Sequence, residues 1–97
     1  MALYSIRRPF PGAAATDVDA AGFRALACVP FYPGMRWIRT FWDGEREETL
    51  CIYEAGSADD VWRHSEQAGL PCAEVREVEE KLPEELVAMA NGAQAAS

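Results

Sequence analysis

The sequence predicts an α+β fold, ferredoxin-like βαββαβ with a C-terminal helix and of the dimeric α+β barrel type, on three observations. Segments of β-forming composition and segments of helical spacing follow one another in the order β, α, β, β, α, β. A turn signal at Asp43 and Gly44 joins the two middle strands into a hairpin. The second strand carries large apolar groups on both faces, so a monomer with helices on one side of its sheet leaves an apolar patch that sheet-to-sheet pairing would bury.

Leu3 to Arg8 read as the first strand, which Pro9, Pro11 and Gly12 end. Thr16 then precedes a helical pattern, with Asp17 and Asp19 in the first turn, where the helix dipole favours negative charge. Val18, Gly22, Leu26 and Val29, widened by Ala25, form the stripe expected to meet the sheet, and Pro30, Pro33 and Gly34 stop the helix. In the strand Met35 to Trp42, strict alternation sends Met35, Trp37, Arg39 and Phe41 one way and Arg36, Ile38, Thr40 and Trp42 the other. Thr49 to Ala55 is the third strand.

Ser57 and Asp60 stand in a capping-box relation immediately before Val61 and Trp62, so a helix begins there and Gly69, Leu70 and Pro71 end it. Glu74 to Val78 is a short strand in which Val75 and Val78 are out of phase, the mark of a bulge or a strand end. Pro83 opens a last helix through Met89, with Glu84 and Glu85 in its first turn, and residues from about 92 to 97 read as a flexible tail. The 97 residues, 49% apolar, make one domain, 1–97, whose small size favours self-association.

Sixteen acidic against nine basic residues give a net charge of -7, which argues against nucleic acid as partner. The pairs Arg7 with Arg8 and Arg36 with Arg39 read as solvated or salt-bridged surface. Cys28, Cys51 and Cys72 are odd in number and lack CxxC spacing, so they read as reduced thiols in a cytoplasm. Neither a leader peptide nor a membrane span is indicated.

His64, the only histidine, shares a helical stripe with Val61 and Ala68. Cys51 and Tyr53 share one face of the preceding strand, and Leu50, Ile52 and Glu54 the other. Imidazole and thiolate suit nickel, zinc or copper, and a tyrosine oxygen suits harder ions, so His64, Cys51 and Tyr53 are the candidate metal ligands. His64 also reads as a surface or hydrogen-bonded structural residue, Cys51 as a small core residue and Tyr53 as a core aromatic. Ser65, adjacent to His64, points elsewhere, and no acid/base pair of recognisable geometry is visible, so the sequence leans away from catalysis without deciding it.

Trp37 to Trp42, Cys51 to Ala55, Arg63 with His64, Gly69 to Pro71, and Glu77 with Val78 together resemble a family of small bacterial ferredoxin-like proteins of unknown function described as nickel-binding. The resemblance covers Leu3 to about Pro83. It implies a homodimer and a divalent metal, nickel or another transition ion, held by histidine-rich sites. His64 matches the histidine of a REHA-like helix in that family, and Cys51 and Tyr53 its CVY-like strand. Where many relatives resemble WVHSY this chain has WIRTF, which places Arg39 at a histidine position, a fixed cation in place of a neutral ligand.

The same substitution supplies an alternative. If Arg39 and His64 converge, they form a candidate small-molecule site that holds a carboxylate or phosphate, with Trp37 or Tyr53 as an apolar wall. By fold analogy a cofactor-poor α+β barrel enzyme is a further reading, and a dimeric module whose acidic surface meets a protein partner is another.

Overall fold

The computed structural model describes residues 1–96. Its elements are β1 (Ala2–Pro9), α1 (Ala15–Cys28), a 3-10 turn (Val29–Phe31), β2 (Arg36–Asp43), β3 (Glu48–Ala55), α2 (Ala58–Ala68), β4 (Glu74–Val78) and α3 (Pro83–Ala96). The four strands form one antiparallel sheet in the order β2-β3-β1-β4, the strand order of a ferredoxin-like fold. Side-chain alternation divides the sheet. Tyr4, Ile6 and Arg8 of β1 and Thr49, Cys51, Tyr53 and Ala55 of β3 are buried under the helices. Leu3, Ser5, Arg7, Leu50, Ile52 and Glu54 lie on the opposite, open face.

β2 departs from strict alternation. Trp37 pairs with Tyr53 and Arg39 with Ile52, so Ile38 is an extra residue at a bulge. Beyond it the faces exchange. Trp37, Thr40 and Trp42 stand with the buried residues Tyr53, Cys51 and Thr49, whereas Arg39 and Phe41 stand with Ile52 and Leu50 on the open face. Trp37 and Arg39, expected on one side, are therefore separated by the sheet.

α2 follows its sequence signals closely. Ser57 Oγ accepts a hydrogen bond from the Asp60 N–H at 3.1 Å, and Gly69, at φ 66, ends the helix in the left-handed conformation that only glycine adopts without strain. Val61, His64, Ser65 and Ala68 are its buried face. Ser65 thus points inward beside His64, because a four-residue buried arc is wider than a single stripe.

α1 is rotated from expectation. Its buried residues are Ala21 and Ala25, which meet Ala68 and Leu70, and Leu26 and Phe23 are exposed. Small residues let the helix approach α2, so it seats on its alanines rather than on Val18 and Leu26. Its start also differs: Ala14 precedes the first turn and its N–H donates to Asp17 Oδ2 at 2.9 Å, with Thr16 already inside the helix.

β4 pairs regularly with β1, with Val75 inward opposite Ile6 and Val78 outward at the strand end, so the irregular phase marks an end rather than a bulge. α3 runs to Ala96, past the point where a tail was expected, because Ala93, Gln94 and Ala95 are strong helix formers. Ser97 lies outside the described residues. Every side chain of α3 from Pro83 to Gly92 is exposed. None of the described helices is long and apolar enough to cross a membrane.

Candidate functional site

Because α1 rests on α2 through alanines, its large apolar residues overhang the outer half of the sheet and leave a cavity of about 350 Å3 beneath them. Val18, Phe23 and Leu26 of α1 and Trp37 and Trp42 of β2 line it, with Phe10 and Leu70. Gly22 faces the Trp37 indole closely enough that a Cβ there would stand 3.4 Å from the ring, in van der Waals contact. Trp37 in turn stacks on Tyr53, with ring centroids 6.0 Å apart and planes 11° from parallel.

The floor is polar. Trp37 Nε1–H donates to Thr40 Oγ1 at 2.7 Å, the Thr40 hydroxyl donates to Cys51 Sγ at 3.1 Å, and the Cys51 thiol points at Thr49 Oγ1, 3.6 Å away. Beside them lies Arg8, only 2% exposed. Its Nη1 donates to Ser65 Oγ at 2.8 Å and to the Pro71 carbonyl at 3.0 Å, and the guanidinium lies 5.8 Å from the Tyr53 ring centroid. Its Nη2 is buried with no hydrogen-bond partner, and among the described residues no carboxylate comes within ion-pair distance of it. A buried arginine is normally paired with an acid, since leaving the charge uncompensated costs several kcal/mol. The Arg8 guanidinium therefore has no carboxylate in contact to balance its charge.

Arg8 was expected on solvated surface as half of an Arg7–Arg8 pair. The structure sends the two to opposite faces: Arg7 forms exposed ion pairs with Glu48 and Glu74, and Arg8 is buried. The signal was legible, because Arg8 continues the inward phase of Tyr4 and Ile6. Arg24 of α1 works alongside it, donating from Nε to the Ala68 carbonyl at 2.9 Å and from Nη2 to the Gly69 carbonyl at 3.3 Å. Two arginines from two other elements thus hold the carboxyl end of α2.

Of the five residues singled out from sequence, Trp37, Cys51 and Tyr53 line the cavity. Arg39 does not. It is exposed on the open face with Ile52, so it does not converge with His64, and the cation that lines the cavity is Arg8. His64 is fully buried under α2, packed between the Tyr53 ring at 5.4 Å and the Tyr32 ring at 5.7 Å between centroids. Its Nε2 lies 2.9 Å from the Ala25 carbonyl, which can only accept, so Nε2 bears the hydrogen and the buried, unpartnered Nδ1 holds the lone pair.

Burial holds His64 below the usual imidazole range; repulsion from Arg8 adds to this and the Ala25 hydrogen bond opposes it. Burial likewise pushes the Tyr53 hydroxyl up to about 12, against the pull of Arg8, and pushes the Cys72 thiol up. Both groups keep their protons at neutral pH. For a divalent metal this donor set is poor: among the described residues no three His, Cys, Asp or Glu side chains gather, and a guanidinium lies beside the one imidazole.

Comparisons with known proteins agree with the fold. The model of the family "Nickel responsive protein SCO4226-like" matches residues 4–78. A solved structure, the crystal structure of SCO4226 from Streptomyces coelicolor A3(2), superposes with a TM-score of 0.74 at 23% identity, covering 84% of this chain and 100% of that one. No curated protein matches the chain.

Proposed function

Taking as premise that this chain belongs to the SCO4226-like family of nickel responsive proteins, we propose that its own cleft binds a small organic anion, with Arg8 as the anchor. One observation carries the reading: Arg8, a lining residue of a mostly apolar cavity, has a buried guanidinium whose Nη2 finds no hydrogen-bond partner. Concave, apolar sites with few polar groups are the usual form of small-molecule sites, and a carboxylate or phosphate supplies the missing counter-charge.

Thermal shift against a panel of small carboxylates and phosphates tests it. At least one should raise the melting temperature, and Arg8→Met should abolish the rise. That variant should fold, because Ser65 keeps its 2.9 Å bond to the Val61 carbonyl and an uncompensated charge is removed. Hits that survive Arg8→Met would remove Arg8 from the site.

The family name favours a second reading, nickel held by His64 with Cys51 and Tyr53. Its support in this chain is the free Nδ1 lone pair, oriented through Nε2–H as ligating histidines are by a carbonyl. Calorimetric nickel uptake that His64→Ala removes would establish it, and an absence of heat would end it.

The reading includes a homodimer of the dimeric α+β barrel type, joined open face to open face. Phe41 and Leu50 stand 56% and 42% exposed as cross-strand partners there, an apolar patch of the kind that marks an interface.

A further inference from the structure

The cleft offers a ligand a limited and specific set of groups, and these discriminate between kinds of anion. We propose, resting on the anion-binding reading, that the site selects a monocarboxylate with an apolar body and rejects phosphate esters.

Charge is the first argument. Arg8 is the only cation among the described lining residues, and Asp19 of α1 adds a carboxylate to the lining. One guanidinium neutralises one negative charge. A phosphate monoester carries about -1.5 to -2 at neutral pH, so it would bring excess charge into an apolar cavity and meet Asp19 as well.

Donor supply is the second. Phosphate sites gather several donors, commonly backbone N–H groups at a helix amino end. Here α1 presents its middle, Val18 to Leu26, to the cavity, where the backbone N–H groups are spent within the helix. Arg8 Nη1 is committed to Ser65 and Pro71, and the Thr40 hydroxyl to Cys51. The side-chain donors left are few and only one of them is charged: Arg8 Nη2, the Tyr53 hydroxyl, which keeps its proton, and the hydroxyl of Thr49, which accepts from Cys51 and keeps its own hydrogen free. Arg8 and Thr49 are cross-strand partners, so the pair comes from one point of the sheet. With one charged donor and no free backbone N–H, this set suits the single charge of a carboxylate rather than the greater charge of a phosphate ester.

The body of the ligand follows from the walls. Apart from the floor they are aromatic or aliphatic, and about 350 Å3 accommodates a compact molecule such as an aryl-substituted short acid. Burial of that body against Trp37, Leu26 and Val18 would supply most of the affinity, and Arg8 the selection for charge.

The test uses three probes of one shape on the full chain, followed by tryptophan fluorescence and calorimetry: phenylacetate, phenyl phosphate and phenylacetamide. Phenylacetate should bind at least tenfold tighter than either of the others. Arg8→Met should erase the difference between acid and amide, and Thr49→Val, a near-isosteric change, should weaken the acid several-fold while leaving the amide unaffected. Phenyl phosphate binding as tightly as phenylacetate, in an Arg8-dependent manner, would overturn the selectivity and leave the anion reading standing. An amide that binds as well as the acid, or no binding by any probe, would overturn both.

Discussion

His64 shows how far one side chain's role can depend on its neighbours. The sequence marks it as the sole imidazole, and its place on the inward stripe with Val61 and Ala68 is legible from helical spacing. That its Nε2 is tied to Ala25 is not legible, because the partner is a backbone atom 39 residues away. The bond and the burial have a consequence for stability. The folded-state pKa lies below the 6.5 of a free histidine, so the unfolded chain binds the proton first as pH falls. Stability is then full above about pH 6.5 and declines below it, at up to about 1.4 kcal/mol per pH unit until His64 itself titrates. Denaturant unfolding between pH 7 and 5 should show this slope in the parent protein and lose it in His64→Gln. An identical slope in both would place the proton uptake elsewhere. Arg8 and Arg39 make the complementary point. Both are arginines next to apolar strand residues, and only the phase of the strand decides which one is buried.

Elements whose signals are local were readable, and those whose position is set by packing were not. α2 has its cap and its terminal glycine in sequence, and both act as expected, although only the Ser57 half of the capping box forms. Ser57→Ala should therefore cost about 1 kcal/mol, a drop of about 4–8 °C in melting temperature, without altering ligand response. A drop under 1 °C would show that the Asp60 N–H finds another acceptor. α1 was readable as a helix but not in its rotation. Hydrophobicity alone ranks Val18 and Leu26 above Ala21 and Ala25, whereas close approach to Ala68 selects the small residues. β2 was readable as a strand but not at Ile38, because a bulge is a relation between two strands, and the long hairpin loop leaves register open.

Across the molecule, the open face of the sheet carries paired charge around an apolar patch: Arg7, Arg36 and Arg76 form ion pairs there with Glu48, Glu54 and Glu74, beside Phe41, Leu50 and Val78. That face suits burial against another copy, and light scattering should give twice the chain mass of 10.7 kDa, with Phe41→Glu returning it to the single-chain value. A parent protein that already runs as a monomer would remove the barrel arrangement. The cleft lies on the other side of the sheet, so ligand response should be unchanged in that variant. On that side, Arg8 ties β1 to Pro71, and Arg24 ties α1 to Ala68 and Gly69. One four-residue turn is thus the common fulcrum of both jaws of the cleft. A guest that drew Arg8 toward itself would pull on the same turn to which α1 is tied, so that seating the head group and gripping the body would be a single mechanical act.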